Sequence, residues 1–152
     1  MRGFLQFITL YLGHKNIINE KNAYINLLDI GCSSSIPSHF VDYAHLINIY
    51  GCDPEKIGIT KVKAKKYIKK FNSVKFENVG ASKKSKKSFL EISKKITGSK
   101  VRDLNNIKKN LLEIDLVKTS NLQNKFDKGS ANIIKIDVEG HELDVIKGIN
   151  FN

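Results

Sequence analysis

Cysteine and proline are scarce in this 152-residue chain, with two of each, and arginine occurs only at Arg2 and Arg102. Cys32 and Cys52 form no C-x-x-C and no metal-ligand spacing. With no signal peptide ahead of them, both are expected to be reduced, buried cysteines of a cytoplasmic protein. Pro37 and Pro54 alone make no Pro-rich linker, and no internal repeat is present. The apolar stretch from Phe4 to Leu12 is well short of the ~20 residues that cross a bilayer. It also lacks a small-residue cleavage site. Residues 1–23 are therefore expected to form an N-terminal helical extension on the core, in preference to a membrane-surface anchor.

What remains is the composition of one globular domain, 41% hydrophobic and 27% charged, long enough to bury a core. The formal net charge of +11 is carried almost wholly by lysine. An excess of Lys, Asn and Ile is what codon bias in an AT-rich genome produces. A solvated lysine surface is accordingly preferred over an anionic partner. Tyr24 to Ile30 is a short apolar run ending at Gly31, the pattern of a buried strand. Ser33 to Pro37 offers a helix start, with Phe40, Tyr43, Ala44 and Ile47 at helical spacing. A second strand from Leu46 to Cys52 ends at Asp53-Pro54. A helix from about Glu55 to Phe71 follows, with Ile57, Ala64, Tyr67, Ile68 and Phe71 as its apolar stripe. Val74 to Val79 reads as a third strand ending at Gly80, and Ala131 to Val138 as a fourth core strand. Between them, about 81–130 reads as an insertion, with strands at Phe89–Ile92 and Leu111–Val117 around a polar loop. Strands alternating with helices imply an α/β doubly wound fold with a mostly parallel sheet.

Ligands of such sheets bind beyond the carboxyl ends of the strands. Asp29-Ile30-Gly31, Asp53-Pro54, Asn78 and Asp137 all fall there. Gly31 permits a tight turn and close backbone approach, and Asp53 suits a ribose diol, because one carboxylate accepts from both hydroxyls. Two cofactors fit this layout, a nicotinamide dinucleotide and S-adenosylmethionine. The dinucleotide fingerprint G-x-G-x-x-G is not met, since Gly31 is followed by Cys32, Ser33, Ser34 and Ser35. No P-loop motif exists either. Fewer glycines matter less for a cofactor without phosphates, and Asp29 suits a cationic sulfonium better than a pyrophosphate.

The sixteen residues from Ile133 to Gly148 (Ile-Ile-Lys-Ile-Asp-Val-Glu-Gly-His-Glu-Leu-Asp-Val-Ile-Lys-Gly) closely resemble the signature of the FkbM-type methyltransferases. In order along the chain, Leu28-Asp29-Ile30-Gly31 resembles the family's first motif. Gly51-Cys52-Asp53-Pro54 resembles its acidic-Pro turn, and Val117 to Leu122 the segment before the signature. The resemblance implies a Rossmann-like class I methyltransferase fold over residues 24–152 and S-adenosyl-L-methionine as cofactor. It also implies O-methylation of a small-molecule or glycan acceptor. The chain departs from the family at Ser33, Ser34 and Ser35, where a second glycine is usual. The family's sheet would also need about three further strands after Gly148, without which it keeps an open edge. The domain is therefore expected to be incomplete at its C-terminus, as a fragment or a truncated relative.

By resemblance and location, Asp29 and Gly31, with Cys32 and Ser33 beside them, are assigned to the amino-acid and ribose side of the cofactor. Asp53 with Pro54 is assigned to the ribose, Asn78 and Val79 to the adenine, and Asp137 faces the methyl. Glu139, His141 and Glu142 are the candidates for a base or an acceptor contact. Helix capping is the alternative for Asp137 and Glu139, and a surface position the alternative for His141. His39 and His45 read as structural. A metal on His141, Asp137 and Glu142 is conceivable but not adopted. A non-catalytic nucleoside-binding fragment and an RNA methyltransferase are the competing functions, the latter on basic charge alone.

Overall fold

In the computed structural model, residues 24–33, 35–92, 100–102 and 111–151 are described. The expected extension at 1–23, Ser34 and most of the expected polar loop lie outside them. Ile25–Ile30 forms β1, buried along its whole length, as an apolar run covered on both faces requires. A four-residue helix α1 (Ser38–Val41) and a 3-10 turn (Ala44–Leu46) lead to β2 (Ile47–Cys52). Helix α2 (Lys56–Lys63) and a second 3-10 turn (Lys66–Lys70) lead to β3 (Ser73–Glu77). Then come β4 (Gly80–Ser82), β5 (Lys86–Glu91), β6 (Lys100–Arg102), β7 (Leu111–Lys118) and α3 (Thr119–Gln123). β8 (Ile133–Ile136) and α4 (Glu142–Lys147) close the order.

The strands make two sheets. The first has the order β3-β2-β1-β8 and is parallel throughout, a mixed α/β arrangement consistent with a Rossmann-like fold. The second has the order β4-β7-β5-β6, with β4 parallel to β7 and the other pairs antiparallel. Because β2 pairs on one side of β1 and β8 on the other, the strand order reverses beside β1. A crevice opens at such a reversal, beyond the carboxyl ends of the strands.

Period-2 alternation divides β1 and β2 between two cores. Ile25, Leu27, Ile47 and Ile49 pack with Phe40, Val62 and Phe71 on one face. Leu28, Ile30, Tyr50 and Cys52 pack with Ala81, Leu122 and Val145 on the other. The second sheet joins this core through β4 and α3, and α4 is stapled to both. Thr119 Oγ1 donates to the carbonyls of Ser82 and Val145, and the Ser120 amide donates to Gly148 O at 2.8 Å. Gly148 does cap α4, but with an ordinary right-handed conformation (φ −88). Glycine is needed there for closeness instead, since a Cβ would sit 2.3 Å from Ser82 O.

Three expectations need correction. The helix expected over Glu55 to Phe71 is two short elements, because Lys65 is extended (φ −72, ψ 130) between them. That break changes the helical phase, so Ile57 is 68% exposed and Ile59 and Val62 face the core instead. The helix expected after Ser33 shrinks to α1, with Pro37 at its N-cap and no serine capping it. Gly80 does not end the third strand; it begins β4 and pairs with Leu116 of β7.

A chain of side-chain amides ties the strands together at their amino ends. Asn72 donates to Asn48 Oδ1 at 2.7 Å, and Asn48 to Asn26 Oδ1 at 2.9 Å. Buried Asn26 in turn donates to the carbonyls of Lys128 and Ser130, 2.8 and 3.0 Å away. Asn26→Ala would leave these groups unpaired in a buried site, a loss of about 2–3 kcal/mol. Its melting temperature is expected to fall by about 4–10 °C, measured by calorimetry.

Candidate functional site

At the reversal beside β1 lies a cleft of about 330 Å³, within the range that takes a nucleoside-sized ligand. Each core strand contributes its carboxyl end. Ile30, Gly31 and Ser33 come from β1, and Cys52, Asp53, Pro54 and Glu55 from β2. Asp137, Val138, Glu139 and His141 come from the turn after β8. Val79, Gly80 and Ala81 line the passage from β3 into β4, and Leu90, Val101 and Leu116 of the second sheet form an apolar wall.

The charge of this lining is opposite to that of the chain. Asp53, Glu55, Asp137 and Glu139 are all present, and no Lys or Arg occurs among the described lining residues. With a net charge of +11 overall, such a cleft results from which residues the fold gathers there. Anionic walls of low dielectric favour a cation and repel phosphate.

Gly31 makes the turn. Its φ is +78, and a Cβ would lie 2.0 Å from the backbone oxygen of Asp137. The Gly31 amide donates to Cys52 O at 2.9 Å, and the Asp137 amide to Ile30 O at 2.9 Å, locking the three strand ends together. Asp53 is 5% exposed, and its Oδ1 accepts the Glu55 amide at 2.7 Å. Burial pushes its carboxyl up to about 6, against the lowering effect of that hydrogen bond.

A family model described as the methyltransferase FkbM domain matches residues 9–151 of the chain. The chain belongs to the FkbM methyltransferase family. No curated protein and no solved structure matches it.

Of the residues singled out in this FkbM domain, Gly31, Ser33, Asp53, Pro54, Val79, Asp137, Glu139 and His141 line the cleft together. Asp29, Cys32, Asn78 and Glu142 stand behind it. Asp29 is fully buried, with Lys135 Nζ 3.0 Å from its Oδ1. Desolvation by burial raises its carboxyl, with Lys135 opposing. Cys32 is buried and free, as is Cys52, and burial raises both thiols. Asn78 holds the Asp53 turn by donating to its carbonyl at 2.9 Å. Glu142 Oε1 accepts the Gly140 amide at 3.1 Å.

His141 is the N-cap of α4, one position ahead of the first helical turn, and neither Asp137 nor Glu139 caps that helix. Its Nε2 lies 3.3 Å from Ser82 Oγ. Burial, with Lys86 and Lys83 nearby, holds the imidazole below its ordinary value despite Asp144 and Glu142. At neutral pH it is an uncharged ring able to accept a proton. Among the described residues, no group of His, Cys, Asp and Glu gathers to hold a metal. No described helix is long and apolar enough to cross a membrane.

Sequence reasoning missed Glu55, the apolar wall of the second sheet, and Lys135. For Lys135 a signal existed: a charged residue inside an apolar strand, two positions before Asp137 and so on the same face.

Proposed function

We propose that the chain binds S-adenosyl-L-methionine in this cleft and transfers its methyl group to a hydroxyl of a sugar or small metabolite. The observation that carries the reading is the cleft lined by four carboxylates without Lys or Arg in an FkbM-family methyltransferase domain. A sulfonium carrying an α-ammonium suits that field, whereas the pyrophosphate of a dinucleotide does not. An RNA acceptor would bring its phosphates against the same carboxylates, which favours a small-molecule or glycan acceptor.

The residues fit the cofactor. Asp53 presents a buried carboxylate at the end of β2, suited to two ribose hydroxyls, and Val79 offers an apolar edge for the adenine. Gly31 and Ser33 lie at the amino-acid end. When bound, the cofactor supplies a methyl group already activated by its positive sulfur. The chain's part is then to orient the acceptor and take up its proton. His141 is suited to hold that proton, and Asp137 and Glu139 to orient the hydroxyl. Free, buried Cys32 and Cys52 support a reducing, cytoplasmic setting.

Isothermal titration of the folded chain tests the reading. S-adenosylmethionine and S-adenosylhomocysteine are both expected to bind saturably, with little dependence on salt. No heat with either ligand overturns the proposal. Steeply salt-dependent binding to RNA would instead favour a nucleic-acid acceptor.

A further inference from the structure

Lys135 is the one charged residue within β8, between Ile134 and Ile136. Register sets it directly across from Asp29 of β1. Its side chain is only 18% exposed, yet it reaches three oxygens. Nζ lies 3.0 Å from Asp29 Oδ1 and 3.3 Å from Asp137 Oδ2, and it donates to the Gly31 carbonyl at 3.3 Å. These oxygens come from three different places: the interior of the sheet, the glycine turn, and the lip of the cleft.

A counter-ion for Asp29 alone would require only the first contact. Moreover, neither Asp29 oxygen receives a well-aligned hydrogen bond, so that pair rests on charge more than on directional geometry. The Asp137 side chain is 75% exposed and would turn freely into water without a tether. Gly31 and Asp137 are also where the backbones of the β1 turn and the β8 end touch, through the Asp137 amide and Ile30 O.

We infer that Lys135 is a positioning residue of the cofactor cleft. It ties the Gly31 carbonyl and the Asp137 carboxylate to buried Asp29, and so holds the junction of the two strand ends in shape for the ligand. The inference rests on the cofactor reading of the cleft. Asp29 and Asp137 face the ammonium most closely, with Asp53, Cys32 and Cys52 further out.

The test compares Asp29→Asn with the double variant Asp29→Asn/Lys135→Met. Removing Lys135 alone would strand a buried carboxylate, and breaking a buried pair from one side destabilises strongly. In the Asp29→Asn background that effect is absent, and only the contacts to Gly31 and Asp137 are lost. The double variant is expected to fold. Amide hydrogen exchange at Gly31 and Asp137 should be at least about ten-fold faster than in Asp29→Asn, with Leu27 and Leu28 unchanged. Where Asp29→Asn still binds S-adenosylhomocysteine, the double variant should bind it at least about ten-fold more weakly. Unchanged exchange at Gly31 and Asp137 overturns the inference, as does equal affinity in the two variants. Exchange that rises uniformly along β1, or a double variant that does not fold, assigns Lys135 to general stability and overturns it too. A folded wild-type chain that does not bind S-adenosylhomocysteine would sink the cofactor reading, while the exchange comparison still decides whether Lys135 holds the junction.

Discussion

Asp53→Ala is expected to weaken S-adenosylhomocysteine binding on the order of 100-fold, which isothermal titration would measure. Two ribose hydroxyls donating to one ionised carboxylate are each worth about 1.5–3 kcal/mol, and about 2.7 kcal/mol net corresponds to that factor. A loss under three-fold would remove Asp53 from the cofactor site. The same residue gives the binding a pH dependence. Its carboxyl is pushed up to about 6 by burial, and only the ionised form accepts from both hydroxyls. Affinity should therefore rise about ten-fold from pH 5 to pH 7 and level off above. Asp53→Asn should bind weakly and without that rise.

Stability moves in the opposite sense. An acid whose folded value lies above its ordinary 3.8 binds its proton more tightly in the folded state. The stability this contributes is fully present below about pH 4 and is lost as pH rises through about 6. At pH 7 the buried charge therefore costs the fold up to about 3 kcal/mol. Asp53→Asn should melt higher than wild type at pH 7 and close to it at pH 4. A residue kept ionised against the interest of the fold is the mark of a binding group.

Gly31→Ala carries the largest expected loss of stability. The residue sits at φ +78, where an L side chain is strained, and the added methyl would lie 2.0 Å from the Asp137 carbonyl oxygen and 2.8 Å from its carbon. That obstacle is backbone of the neighbouring strand end, so no rotamer relieves it. Backbone strain and overpacking together amount to about 3–5 kcal/mol, or a fall of about 6–20 °C in melting temperature. A variant melting within 2 °C of wild type would show that the two strand ends do not meet as described. Gly140→Ala makes a useful contrast. Its φ of +76 is similar, but a Cβ there meets nothing within 4 Å, so the strain alone should cost about 1 kcal/mol.

Much of this was legible along the chain, because the signals involved are local. A buried strand needs an apolar run whatever it pairs with, and so β1, β2 and β8 stand within a residue or two of where the runs at Tyr24, Leu46 and Ala131 put them. Asp53 and Asp137 could be placed at strand ends for the same reason. The sixteen-residue signature carried the family, which the match over residues 9–151 then showed.

What was not legible depends on pairing over long separations. β4 is three residues long and by composition is a tail of β3. Only its partner β7, more than thirty positions away, makes it a strand and brings Leu116 and Leu90 to the cleft. In the same way, Lys135 meets Asp29 only because β8 lies beside β1. The phase of the second helix was lost at Lys65, where a change of backbone with no Gly or Pro to announce it exposes Ile57.

The chain's own order of residues thus decided where strands begin and end, which acids stand at their tips, and the family. Apolar burial and turn chemistry act over a few residues and do not depend on the final arrangement. Tertiary structure decided that these tips converge on an acidic cleft in a basic protein, that burial raises Asp53, and that Lys135 ties three of the groups together. Net charge is a sum over the whole chain, whereas the field in a cleft depends on which few residues the fold brings within reach of one another.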